Sequence, residues 1–143
     1  MNRNCNDCTK CCEGWTKGNV RGHDYYRGKP CHFVKINIGC SIYKDRPKKQ
    51  CQDYNCEWLV NKELPEWMKP SYTHVVINQI EENNFIYLKC IEAGKKMSVN
   101  VLNWLFLYYI NNNINLLYQI DGGWHWLGSK DFVNYIKERV KQF

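Results

Sequence analysis

Apolar and polar residues are patterned differently in the two halves of this chain. From Ser71 onward, Tyr72 to Ile80 and Phe85 to Ile91 are rich in β-branched and aromatic residues. They are separated by Glu81-Glu82-Asn83-Asn84, which predicts an antiparallel pair of strands. Ser98 to Ile110 is mostly apolar and predicts a buried helix, Ile114 to Ile120 a third strand, and Asp121-Gly122-Gly123 a turn. Ser129 predicts the cap of a last helix, whose apolar Phe132, Val133, Ile136 and Val140 share one face.

Residues 1 to about 58 show little periodicity and carry Gly14, Gly18, Gly22, Gly28 and Gly39, so this half is expected to be loop-rich. Pro30 to Ile36 and Cys40 to Tyr43 read as two short strands joined through Asn37 to Gly39, a hairpin that places Cys31 and Cys40 on one element. Asp45 is expected to cap a helix start with Pro47 in its first turn and Cys51 at the end of that turn. Trp58 to Pro70, with Pro65 and Pro70, reads as a linker, with one helical turn at Glu63 to Met68. The expected organisation is a cysteine-cluster region, 1–70, and a small supporting region, 71–143, together one unit. The fold class is α+β: a loop-rich, metal-stapled N-terminal half packed with a small antiparallel sheet and two C-terminal helices. There is no internal repeat.

Composition changes this picture chiefly through cysteine. Of nine cysteines in 143 residues, eight fall in the first 56: Cys5, Cys8, Cys11, Cys12, Cys31, Cys40, Cys51 and Cys56. Unpaired thiols this dense oxidise, exchange or capture soft metals, so disulfides or a metal must hold them. The first residues run into Cys5 without an apolar stretch, which predicts no secretory signal and favours metal over disulfides. The expected location is cytoplasmic. Frequent Asn, Ile, Lys and Tyr fit an AT-rich genome, and a phage-encoded chain acting inside or on a particle reads the same way. The longest apolar run, Val99 to Ile110, is interrupted by Asn100 and Asn103 and is shorter than the ~20 residues that span a bilayer.

A formal charge of +6 would suit a nucleic-acid partner, but its distribution argues against one. Arg27, Lys29, Lys35, Lys44, Arg46, Lys48 and Lys49 stand against Asp45 alone, in the stretch that also carries cysteines. A four-thiolate site holding Zn²⁺ or an oxidised four-iron cluster keeps a charge of about −2. One such site lowers the net charge from +6 to about +4, and two lower it to about +2. Much of the basicity is thus local counter-charge.

Zinc and iron–sulfur clusters both prefer sulfur and both complete their shells with four ligands. A C-x-x-C turn directs two sulfurs to one point, so Cys5 and Cys8 can share an ion, as can Cys8 and Cys11 or Cys12. Cys11 and Cys12 are adjacent, which points to different sites or to a structural role for one of them. Trp15 stands where a ferredoxin motif has its fourth cysteine, and Cys51-x-x-x-x-Cys56 replaces the second C-x-x-C of a zinc ribbon.

The ordered string Cys5-x-x-Cys8-x-x-Cys11-Cys12, Pro30-Cys31-x-Phe33, Gly39-Cys40-x-Ile42-Tyr43-x-x-Arg46-Pro47-x-x-x-Cys51-x-x-Tyr54-x-Cys56-x-Trp58 resembles the CxxCxxCC family, the YkgJ-type zinc- or iron-chelating domain. The likeness covers roughly residues 5 to 70. Three residues separate Pro47 from Cys51 where the family pattern has two. The resemblance implies that the eight thiols named above are metal ligands. It implies an iron–sulfur cluster, of the four-iron type (4Fe-4S), or alternatively Zn²⁺. Arg46 is a candidate to donate hydrogen bonds near cluster sulfurs.

A redox, sensing or metal-delivery protein follows from the first metal, and a structural zinc module in an interaction protein, with a protein partner, from the second. Some relatives join this domain to methyl transfer on protein lysines, but this chain lacks a glycine-rich turn between a parallel strand and a helix. No nucleophile and base pair stands out, so no catalytic residue is assigned. Cys90 reads as a buried strand cysteine, and His23, His32, His74 and His125 as non-ligands. Trp104, Phe106, Tyr108 and Tyr109 read as core, and Trp124 and Trp126 as packing residues.

Overall fold

Strands β5 (Val75–Glu82) and β6 (Phe85–Glu92) pair antiparallel, from Val75 opposite Glu92 to Glu82 opposite Phe85, in a computed structural model that describes residues 3–5 and 7–143. Asn83 and Asn84 make the two-residue turn with φ of 50° and 65°, a region asparagine tolerates better than most residues. Helix α3 (Val99–Asn112) follows, its start capped by Ser98 Oγ, which accepts from Val101 N at 3.3 Å. The chain returns as β7 (Asn115–Ile120), which lies parallel to β6 with Leu88 opposite Leu116 and Cys90 opposite Tyr118.

The sheet order is β5-β6-β7-β8, and β8 (Gly123–Leu127) is a strand the sequence pattern did not show. Asp121 and Gly122, with φ of 52° and 81°, turn β7 back antiparallel onto it. Trp124 and Trp126 are half-buried and alternate with exposed His125, a period-two pattern too short to stand out. The parallel β6–β7 pair makes this sheet mixed rather than purely antiparallel.

Each face of the sheet is covered. On one, Val75, Ile77, Leu88, Cys90, Leu116 and Tyr118 pack against Val101 and Leu105 of α3 and against Trp58, Leu64 and Met68. On the other, Tyr87 and Leu117 pack against Phe132 and Ile136 of helix α4 (Lys130–Val140), with Trp124 and Trp126 beside them. The class is α+β, as expected. The stretch expected as a linker carries its expected helical turn, at Glu66–Met68, but also helix α1 (Glu57–Val60) and helix α2 (Pro70–Thr73), and it supplies three residues to the main core.

The N-terminal half is built of small pieces. Strands β1 (Gly18–Val20) and β2 (His23–Tyr25) form one hairpin, and β3 (Val34–Lys35) and β4 (Gly39–Cys40) another. The second is the expected hairpin, but shorter: Cys40 is opposite Val34, whereas Cys31 precedes the strand and accepts from Val34 N at 3.2 Å. Asp45 does not cap a helix, because it ends a 3-10 turn (Tyr43–Asp45). The next turn, Lys48–Gln52, starts after extended Pro47 (φ −54°, ψ 134°). Among the described residues no helix is long and apolar enough to cross a membrane.

Candidate metal centre

The first ligand candidate is fixed from outside its own loop. The Arg3 guanidinium donates to Trp58 O, Asn61 O and Leu64 O, pairs with Glu66 at 3.0 Å and lies over the Trp58 ring. This binds the residues before Cys5 to those after Cys56. Cys8 N then donates to Cys5 O at 2.7 Å, and Cys12 N donates to Thr9 O at 2.9 Å at the end of a 3-10 turn (Lys10–Cys12). A nearly buried network holds that turn: Thr9 Oγ1 donates to Glu13 at 2.7 Å and accepts from Asn37 N at 3.0 Å, and Lys10 pairs with Glu13 at 3.1 Å.

A backbone contact ties Cys31 to the first segment, and local turns carry Cys51 and Cys56. Cys31 N donates to Cys12 O at 2.8 Å. Gly14, with φ of 97°, lets the chain after Cys12 pass close under Tyr26 O and Lys29 O. Cys51 N donates to Pro47 O at 3.1 Å, and Cys56 O accepts from Leu59 N at 3.0 Å at the start of α1.

The result is one cavity of about 90 Å³ whose wall includes Cys5, Cys8, Cys11, Cys12, Cys31, Cys40, Cys51 and Cys56 together with Arg46. Much of the remaining wall is apolar, including Val20, Phe33, Val34 and Ile42. A recess of about 20 Å³ opens beside Cys5, Cys8, Cys11 and Cys56, backed by Trp58, Leu59, Pro70 and Val76. Cys12, Cys31 and Cys51 pack instead with Val20, Tyr25, Phe33, Val34 and Ile42. The thiols line a chamber without closing on one point: among the described residues no three His, Cys, Asp or Glu side chains are gathered as a ligand set. Cys90 is elsewhere, fully buried on β6, and none of the four histidines lines the chamber.

Electrostatics differentiates the thiols. Cys11 and Cys12 sulfurs are 3.8 Å apart, and the hydrogen bond between them pushes Cys11 well up and holds Cys12 below its ordinary value. Arg46 adds to the lowering of Cys12. Burial pushes Cys5, Cys31 and Cys51 up, and Cys56 up to about 11. Arg46 is itself positioned by Tyr43: its Nε donates to Tyr43 O at 2.8 Å and its guanidinium stacks 3.8 Å from the ring. A soft cation in the chamber would reverse this protonation, because thiolate is the ligand form.

Sequence reasoning missed Arg3 and the Thr9-Lys10-Glu13 network, and it named Tyr54 only as a motif position with no role. Tyr54 and Thr16 stand between the chamber and an open groove of about 890 Å³ on the sheet side. A C-x-x-C-x-x-C-C string shows thiols plainly, but nothing in it shows what supports them. No family model matches the chain, and no curated protein or solved structure matches it.

Proposed function

We propose that this is a metal-binding cysteine-cluster protein whose chamber holds an iron–sulfur cluster. The observation that carries the reading is the meeting of eight thiols, drawn from Cys5 to Cys56, on the wall of one cavity with a single guanidinium among them. Thiols in such numbers and reach suit a soft metal, and Arg46 offsets the negative charge that thiolates would bring. The resemblance to the CxxCxxCC family supports the same reading.

Size supports a cluster. By the same volume measure one water takes about 10–15 Å³, so a cavity of about 90 Å³ has room for several atoms. A largely apolar wall is the environment in which cluster potentials are tuned. Such a centre transfers electrons, senses redox state or delivers metal, and a reducing, cytoplasm-like compartment keeps its thiols available. The second reading is structural Zn²⁺ in an interaction module that meets a protein partner. The recess of about 20 Å³ favours it, being sized for one ion among four sulfurs.

Anaerobic purification with iron, sulfide and zinc analysis and a visible absorption spectrum tests both. Iron and sulfide with a broad visible band are expected. Colourless protein containing zinc alone would overturn the iron–sulfur reading, and folded protein that takes up neither metal would overturn both.

A further inference from the structure

We infer that the eight thiols build two neighbouring four-cysteine centres, one from Cys5, Cys8, Cys11 and Cys56 and the other from Cys12, Cys31, Cys40 and Cys51, which meet at the Cys11-Cys12 pair. The inference rests on the metal-binding reading above and assigns its ligands.

The first set is defined by the wall it shares. Cys5, Cys8, Cys11 and Cys56 are the cysteines that line the side recess, and its remaining walls come from Trp58, Leu59, Pro70 and Val76. Cys56 itself packs against the main core of the sheet. This set therefore sits against the C-terminal half. Arg3 holds its two ends together, binding the carbonyls of Trp58, Asn61 and Leu64 from a position two residues before Cys5.

The second set is defined by a different packing cluster. Cys12, Cys31 and Cys51 pack with Val20, Tyr25, Phe33, Val34 and Ile42, within the two N-terminal hairpins. Cys40 joins them because it pairs with Val34, a member of that cluster, across β3 and β4. Cys31 N bonds Cys12 O directly at 2.8 Å, and neither residue lines the recess. Each set has four sulfurs, the number that both Zn²⁺ and a four-iron cluster require, and none of the eight is left over. Since no three of the described side chains are gathered as a ligand set without metal, the sulfurs of each set close in as metal binds.

Cys11 and Cys12 are adjacent in a 3-10 turn with sulfurs 3.8 Å apart, yet Cys11 lines the recess whereas Cys12 packs in the hairpin cluster. The two centres are accordingly side by side in one chamber, with Arg46 on its wall.

The test loads the full-length protein anaerobically, with ferrous iron and sulfide in one series and Zn²⁺ alone in another. Metal per chain is then measured for the wild type, Cys56→Ser, Cys40→Ser and the double variant. Each single variant is expected to keep half the wild-type metal and the double variant none. Alkylation followed by peptide mass mapping reads the partition directly. Cys56→Ser should open Cys5, Cys8 and Cys11 while Cys12, Cys31, Cys40 and Cys51 stay protected, and Cys40→Ser should do the reverse.

Wild-type protein removes any dependence on variant folding: limiting chelator should open its thiols in two groups of four. Loaded protein whose eight thiols open as one group, or single variants that lose all metal or none, would overturn the partition alone. Wild-type protein that takes up no metal in either series would overturn the metal reading and the partition with it.

Discussion

Tyr54 donates its hydroxyl hydrogen to Asn78 Oδ1 at 2.6 Å, which pins the short segment between Cys51 and Cys56 to strand β5. Burial, reinforced by the nearby thiols of Cys11 and Cys56, pushes the Tyr54 ionisation far up, so the hydroxyl stays a donor. Asn78 is buried, which makes its carbonyl dependent on that donor.

Tyr54→Phe should therefore cost about 1–3 kcal/mol, the usual penalty for leaving a buried acceptor unpaired. A urea titration should show a lower midpoint with an unchanged slope. A midpoint equal to the wild type would mean that this bond does not hold the segment.

Gly14→Ala should damage the chamber without touching a thiol. An added Cβ would stand 2.5 Å from Tyr26 O and 3.0 Å from Lys29 O, at a φ of 97° that side chains rarely adopt. The combined strain and overlap should cost about 1–3 kcal/mol and separate the Cys11-Cys12 turn from the segment leading to Cys31. Bound metal should fall in the same variant. Gly22→Ala is the control, because Gly22 also has positive φ but nothing within 4 Å of an added Cβ. It should lose some stability and keep its metal.

Glu92 gives the sheet a dependence on pH. Burial works to raise its carboxyl, but the N–H groups of Gly122, Met97 and Asp121 overcome that and hold it below its ordinary value of 4.5. A carboxylate lowered by folding contributes stability above its unfolded value, and that contribution is lost as pH falls through the folded value. Glu92→Gln should thus be less stable than the wild type near neutral pH, by about 1 kcal/mol after allowing for its partial exposure. The gap should narrow as pH falls below 4.5. Urea midpoints of both proteins across that range check it.

Cys90→Ala should separate the ninth cysteine from the other eight. Cys90 is fully buried between Ile77 and Tyr118 on adjoining strands, so removing its sulfur leaves a small void costing about 1 kcal/mol. Metal content should not change. Loss of metal in a stably folded Cys90→Ala protein would place that thiol among the ligands.

Much of the C-terminal half was legible in the sequence because its signals are local. β-branched runs around Asn83-Asn84 specify a hairpin, and Phe132 and Ile136, both fully buried, mark the inner face of α4. What was not legible depends on distant partners. The direction of β7 is set by the passage through α3, and Trp58, Leu64 and Met68 become core only because the sheet is there to receive them. The candidate site divides the same way. Its thiols could be named from spacing alone, whereas Arg3, Tyr54 and the carbonyls and amide that hold them lie 24 to 61 positions apart.

The back wall of the recess, Pro70 and Val76, has a consequence for biosynthesis. A ribosome delivers Cys5, Cys8, Cys11 and Cys56 before it has made the two residues that close behind them. Until β5 is made and paired, the recess lacks that back wall, so its completion waits on sheet formation. A recess lined by early cysteines is thus finished only by a late strand.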